Sequence, residues 1–179
     1  MRPYLLFALV TLVLFNSCMP SLVAITDKEK YEKKWSNDDL KKIQFYLSDD
    51  IVLQRKLEES STEIVSGKVK IVNGEKVEEV LIRRGTPGVL VFNPVDNRMG
   101  ISFEKGDETY LMFVPNPDKD GRYYLAAADW KNKVGKINYD GKVWYTTPES
   151  GNAHLMIDMK KLNQVQRDQR VATGRKVEQ

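Results

Sequence analysis

Few side chains in this sequence are suited to chemistry, and their spacing says more than their number. The chain carries one histidine, His154, and one cysteine, Cys18. A lone histidine excludes a multi-histidine metal centre. A lone cysteine excludes an intrachain disulfide framework and a multi-cysteine metal knot. His154 could act as a base, but the nearby Ser150-Gly151 lies in no Gly-x-Ser-x-Gly elbow that would present a nucleophile. Acidic neighbours occur at Asp38/Asp39, Asp49/Asp50 and Glu58/Glu59. Adjacency alone makes no general acid/base pair, because one member must sit in a cleft that raises its pKa. The sequence holds no phosphate-cradling P-loop and no dinucleotide fingerprint. No catalytic residue is assigned.

The string Asn116-x-Asp118-x-Asp120-Gly121 copies the opening half of an EF-hand calcium loop. A hard cation needs six to eight oxygens, and that loop draws two from a Glu at its twelfth position. Here the twelfth position is Ala127. Pro115, Pro117 and Gly121 punctuate a loop between two strands equally well. The expectation is a hairpin loop, with Asn116, Asp118 and Asp120 as a weak metal candidate only.

Aromatic residues are the stronger hint of a binding face. Tyr123/Tyr124 and Trp144/Tyr145 are adjacent pairs within strand-like runs, and a strand alternates its faces, so each pair must send one ring outward. Together with Trp130 they form the candidate binding surface: Tyr123, Tyr124, Trp130, Trp144 and Tyr145. Exposed rings of this kind suit recognition of a protein, a glycan or a peptide.

At the amino end one basic residue, Arg2, precedes an apolar run from Leu5 to Phe15. Eleven helical residues reach about 16 Å, roughly half of a ~30 Å hydrocarbon core, so a secretory signal explains the run better than a membrane span. The run ends in Leu14-Phe15-Asn16-Ser17-Cys18. This string resembles the lipobox of bacterial lipoproteins, in which a small residue precedes a cysteine that becomes lipidated. The resemblance covers residues 1–18 alone. It implies a signal peptide over 1–17 and a covalent acyl lipid at Cys18, with no other cofactor expected. Met19 rather than Asp follows the cysteine, and no acidic cluster follows it. In that family both features favour an outer-membrane protein facing the periplasm. The alternative is ordinary signal cleavage after Ala24.

The elements that must position these residues are mostly strands. Thr26-x-x-Glu29 and Ser36-x-x-Asp39 are helix-start signatures. Leu40, Ile43 and Leu47 recur at helical spacing, which predicts a helix over 37–48. From Ile51 onward short β-branched and aromatic runs predict strands at 51–57, 64–72, 76–83, 88–92, 99–104, 109–114, 122–127, 133–139, 142–146 and 153–158. Asn73-Gly74, Gly106-Asp107, Asp120-Gly121 and Asp140-Gly141 separate them at hairpin-like intervals. The predicted class is mainly β: an antiparallel barrel or sandwich with an N-terminal helix and a short C-terminal helix or tail. For the first hairpin, a three-residue loop 72–74 pairing Val69 with Val77 keeps apolar residues on one face. The expected organisation is a lipidated tether over 18–27, one helix-plus-β domain over 28–160, and a polar, basic helix or tail over 161–179.

The chain's 179 residues, 41% hydrophobic and 30% charged, suit one domain with tails. The formal charge of +3 is nearly balanced and gives no reason to expect nucleic-acid binding, which needs clustered basic residues. The functional expectation is a lipid-anchored, non-enzymatic cell-envelope protein. Its partners would be the membrane, through the anchor, and another envelope component. Two alternatives stand beside it: a small envelope hydrolase with a carboxylate or His154 cleft, and a carrier of an apolar ligand inside a barrel.

Overall fold

The computed structural model describes residues 21–57, 68–72, 74–94, 97–106, 108–160 and 162. The expected signal peptide and Cys18 lie outside them. The protein is mainly β, and among the described residues every strand pair is antiparallel. The strands are β1 (Leu22–Ala24), β2 (Phe45–Leu47), β3 (Ile51–Lys56), β4 (Lys68–Val72), β5 (Glu75–Ile82), β6 (Pro87–Phe92) and β7 (Met99–Ser102). They continue with β8 (Tyr110–Asn116), β9 (Arg122–Leu125), β10 (Asp129–Lys131), β11 (Val134–Tyr139), β12 (Lys142–Thr146) and β13 (Leu155–Asp158).

Seven strands form one sheet in the order β1-β13-β2-β6-β7-β8-β9, and six form another in the order β10-β11-β12-β3-β5-β4. The arrangement is sandwich-like. Isolated bridges, Thr26 to Arg122 and Tyr124 to His154, tie the last strand of the first sheet back towards its beginning. They stop short of a closed barrel. Alternation fills the interior from both sheets. Phe45, Leu47, Met99, Ile101, Leu111 and Phe113 come from the first sheet, and Ile51, Leu53 and Trp144 from the second, all fully buried.

Two short helices lie between β1 and β2. The helix α1 (Asp27–Glu32) and the helix α2 (Asn37–Lys41) each start at a capping box, Thr26 with Glu29 and Ser36 with Asp39. Each hydroxyl accepts an amide proton that the first turn leaves without a helical partner.

The expected helix over 37–48 is corrected: it ends at Lys41, and Phe45–Leu47 is a strand. Leu40, Ile43 and Leu47 are all buried, so the spacing marked core positions but not their conformation. Phe45 and Leu47 also alternate with the half-buried Tyr46. Once β2 lies between β13 and β6, both its edges carry ladder hydrogen bonds that a helix in water would have to supply itself.

Residues 21–27 of the stretch 18–27 expected as a tether belong to the fold instead. Leu22–Ala24 pairs with β13, Ile25 is fully buried, and α1 begins at Asp27. The β4–β5 hairpin differs from the expected register too. Val69 faces Glu78, Lys70 faces Val77 and Val72 faces Glu75, leaving a two-residue connection with Gly74 at φ 81°. The reason lies outside the hairpin. Glu78 also faces Arg55 of β3 and is buried in an ion pair with it. Val69 and Ile71 are left exposed as a result. Past β13 a helical turn begins at Met159, and Leu162 is buried against the core.

Candidate functional site

Strand alternation sorts the five candidate aromatics. Tyr123 and Trp144 point inward and are fully buried, so they hold the fold and leave the surface. The Tyr123 hydroxyl donates to Asn97 Oδ1 at 2.9 Å and lies 3.5 Å from Asp27 Oδ1. Burial, reinforced by Asp27, pushes this phenol well above its ordinary pKa. Lys30 joins the same cluster through Asn97, and burial lowers its pKa. These contacts lock α1 onto β9. The Trp144 indole donates to the Tyr139 carbonyl at 2.9 Å, and the Arg55 guanidinium sits 5.5 Å from its ring centroid, a cation–π geometry.

Tyr124, Trp130 and Tyr145 keep exposed surface, but only two of them meet. Tyr145 pairs with Lys136, one residue along from Gly135, whereas Trp130 pairs with Gly135 itself. Tyr145 and Trp130 therefore lie on opposite faces of the second sheet. Tyr124 and Trp130 line one groove of about 510 Å³ together with Arg98, Asn116, Lys119 and Asn152. A second hollow of about 540 Å³ shares Trp130, Gly151 and Asn152 with it and adds Lys133 and Glu149. Trp130, 41% exposed, is thus a wall common to two concavities.

Local sequence explains how that ring is held. Asn132 and Lys133 both have positive φ, 51° and 66°, and close a two-residue hairpin between Lys131 and Val134. That conformation matches the twist of the flanking strands and sets Trp130 across from Gly135. A Cβ on Gly135 would lie 3.0 Å from the Trp130 ring and 2.8 Å from Ala127 Cβ; one on Gly151 would lie 3.3 Å from the ring. Two missing side chains make the seat of the indole. Tyr124 is supported from the other side by His154, with ring centroids 5.2 Å apart.

The metal-like loop joins this groove rather than forming a centre of its own. Asn116 Oδ1 accepts from the Asp118 amide at 3.0 Å, and Asp120, at φ 56°, lies 3.6 Å from Arg122. Asn116 pairs with Arg122 across the β8–β9 hairpin. Among the described residues no group of three or more His, Cys, Asp or Glu side chains is placed to hold a metal ion. Arg98 and Lys119 are exposed cations, and no described carboxylate lines the groove.

His154 has a hydrogen-bonded chain, but in an order unsuited to a nucleophile. Ser48 Oγ donates to Asp49 Oδ2 and accepts the His154 backbone amide, each at 2.8 Å, and its contact with His154 Nδ1 is also 2.8 Å. In a catalytic triad the carboxylate orients the imidazole and the imidazole takes the serine proton. Here the carboxylate holds the serine, and the serine clasps the start of β13 to the end of β2. A further hollow of about 240 Å³ is lined by Glu79, Glu104 and Asp140. Glu104 accepts from the Tyr139 hydroxyl. Glu79 accepts from Lys70 and Gln54, which hold its carboxyl below the usual range. A general acid needs the opposite shift.

Sequence reasoning singled out Tyr124, Trp130 and Asn116 but missed Arg98, Lys119 and Asn152. The available signals were Gly135 inside a strand pattern, which marks a close approach, and the Asn132-Lys133 turn. Comparison with family models, curated proteins and solved structures finds no match.

Proposed function

We propose that this chain is a lipid-anchored, non-enzymatic protein of the bacterial cell envelope. In this reading it sits at the outer membrane facing the periplasm and binds another envelope component through the Tyr124–Trp130 groove. The observation that carries the binding role is the exposed indole of Trp130, seated on two glycines between two hollows and flanked by Tyr124. A ring held rigidly by its support loses little conformational entropy on contact, and such aromatics dominate binding surfaces. The anchor reading draws on the lipobox-like string ending at Cys18, only four residues ahead of β1.

The hydrolase alternative loses support from the hydrogen-bond order around Ser48 and His154 and from the lowered pKa of Glu79. The carrier alternative requires a container, and the two sheets do not close into one.

The test compares wild type, Trp130→Ala and Tyr145→Ala as baits in detergent-solubilised envelopes. Retention of one component by wild type and Tyr145→Ala, with loss by Trp130→Ala, supports the groove. Equal retention by all three rejects it.

A further inference from the structure

Backbone amides that line the Tyr124–Trp130 groove are engaged within the fold. The Leu125 amide donates to the Ala153 carbonyl at 3.0 Å, and the Ala126 amide to the Met112 carbonyl at 2.8 Å. Pro115 and Pro117, also in the lining, have no N–H to give. An extended peptide buried here would find few partners for its own amides and carbonyls, which are costly to bury unpaired. The groove offers side chains instead. Asn116 Oδ1 accepts from the Asp118 amide, which leaves its side-chain N–H groups without a partner among the described residues. Asn152 is exposed beside the indole, and Tyr124 and Trp130 supply ring faces.

Charge narrows the choice of ligand further. Arg98 precedes Met99, which pairs with Phe113, and so comes level with Val114, which pairs with Tyr124. Arg98, Val114 and Tyr124 thus form one row across β7, β8 and β9. Two strand spacings put Arg98 and Tyr124 about 10 Å apart at Cα. Lys119 stands on the short turn Pro117–Lys119 that follows β8. Both cations are exposed, and neither takes part in an ion pair among the described residues. Asp120, next along, lies against Arg122. No described carboxylate lines this groove, whereas in the second hollow Glu149 accompanies Lys133. The unbalanced positive charge therefore belongs to the Tyr124 side of the indole.

We propose that the groove binds an anionic oligosaccharide, a chain of pyranoses that carry carboxylates. This ligand class rests on the groove being the binding site, as proposed above. A pyranose presents an apolar C–H face whose hydrogens suit the electronegative face of an indole or phenol ring. Its hydroxyls find donors and acceptors on Asn116 and Asn152, and its carboxylates meet Arg98 and Lys119. Because Trp130 bounds two hollows, a chain of several rings can continue past the one that stacks on it.

The test titrates the full chain, in detergent, with oligogalacturonate and with neutral oligogalactose of the same length. Of the three tryptophans, Trp35 and Trp144 are buried, so a change in emission on binding reports Trp130. The charged sugar should bind roughly ten-fold or more tightly than the neutral one, and the margin should shrink as salt is raised. Arg98→Gln with Lys119→Gln should remove the margin and leave the weak affinity for the neutral sugar. Trp130→Ala, followed by calorimetry because it lacks the reporter, should lose both sugars. Tyr145→Ala, on the opposite face of the second sheet, should change neither.

Equal affinity for the two sugars, or a margin untouched in the double Gln variant, overturns the anionic class. A glutamate-rich peptide of matched charge that binds more tightly than oligogalacturonate overturns the saccharide in favour of a peptide. Absence of oligogalacturonate binding to wild type, or binding that survives Trp130→Ala, overturns the proposal outright. The envelope pull-down decides the groove separately. A component lost by Trp130→Ala alone, without any binding of oligogalacturonate, keeps the groove and removes this ligand.

Discussion

Gly135→Ala probes the seat of Trp130 directly. Gly135 lies inside β11, buried, and is not among the glycines of positive φ, so an alanine meets no backbone strain there. It does meet atoms: Ala127 Cβ at 2.8 Å and the Trp130 ring at 3.0 Å. Overpacking of this kind costs about 1–3 kcal/mol. Restricting the unfolded chain offsets about 0.4–1 kcal/mol of that. The net expectation is a loss of about 1–2 kcal/mol, lowering the melting temperature by roughly 3–6 °C for a domain of this size. Because β10 is a three-residue edge strand, the indole yields before the core does. Trp35 and Trp144 are buried, so a red shift in tryptophan emission reports Trp130. In a Trp130→Ala background the cost of Gly135→Ala should shrink but persist, since Ala127 remains; the difference is a coupling of about 0.5 kcal/mol or more. The assay is urea denaturation with emission spectra of all four proteins. A Gly135→Ala protein as stable as wild type, with unshifted emission, would refute the reasoning.

Ile43→Asp should destabilise the protein by about 2–5 kcal/mol, because it places an unpaired carboxylate where a buried side chain joins α2 to β2; thermal melts check this. Glu79 has a folded-state pKa below its unfolded value, so its contribution is present above the usual carboxylate range and lost as pH falls through the lower, folded value. Denaturation across acidic pH should therefore show a shallower stability loss in Lys70→Gln than in wild type. Cys18→Ala should block lipoprotein processing and leave an uncleaved precursor in the membrane fraction, read by immunoblot and by the mass of the amino-terminal peptide.

Local chemistry was legible wherever a few neighbouring residues decide the outcome. Both capping boxes form because the hydroxyl and the acid sit three residues apart on the same turn. Asp140-Gly141 turns with both φ positive, 51° and 67°, which glycine and aspartate tolerate best. The inward choice of Tyr123 over Tyr124, and of Trp144 over Tyr145, is a matter of alternation, although the sequence alone did not say which ring of each pair goes in.

Tertiary structure decided everything that depends on a partner far along the chain. Leu40, Ile43 and Leu47 fit a helix until β13 and β6 offer Phe45–Leu47 a place between them. Judged alone, the β4–β5 hairpin prefers the register that gathers its valines. Arg55, thirteen residues before Lys68, pairs with Glu78 and so places a carboxylate inside. The groove follows the same rule: Tyr124 stands on β9 of the first sheet and Trp130 on β10 of the second. They meet only because the sheets pack with those edges together, and two glycines distant from each other leave the indole its room. Residue types near one another in sequence set turns, caps and alternation. Which strand lies beside which is a property of the packed whole, because each pairing is stabilised by surfaces that no single segment contains.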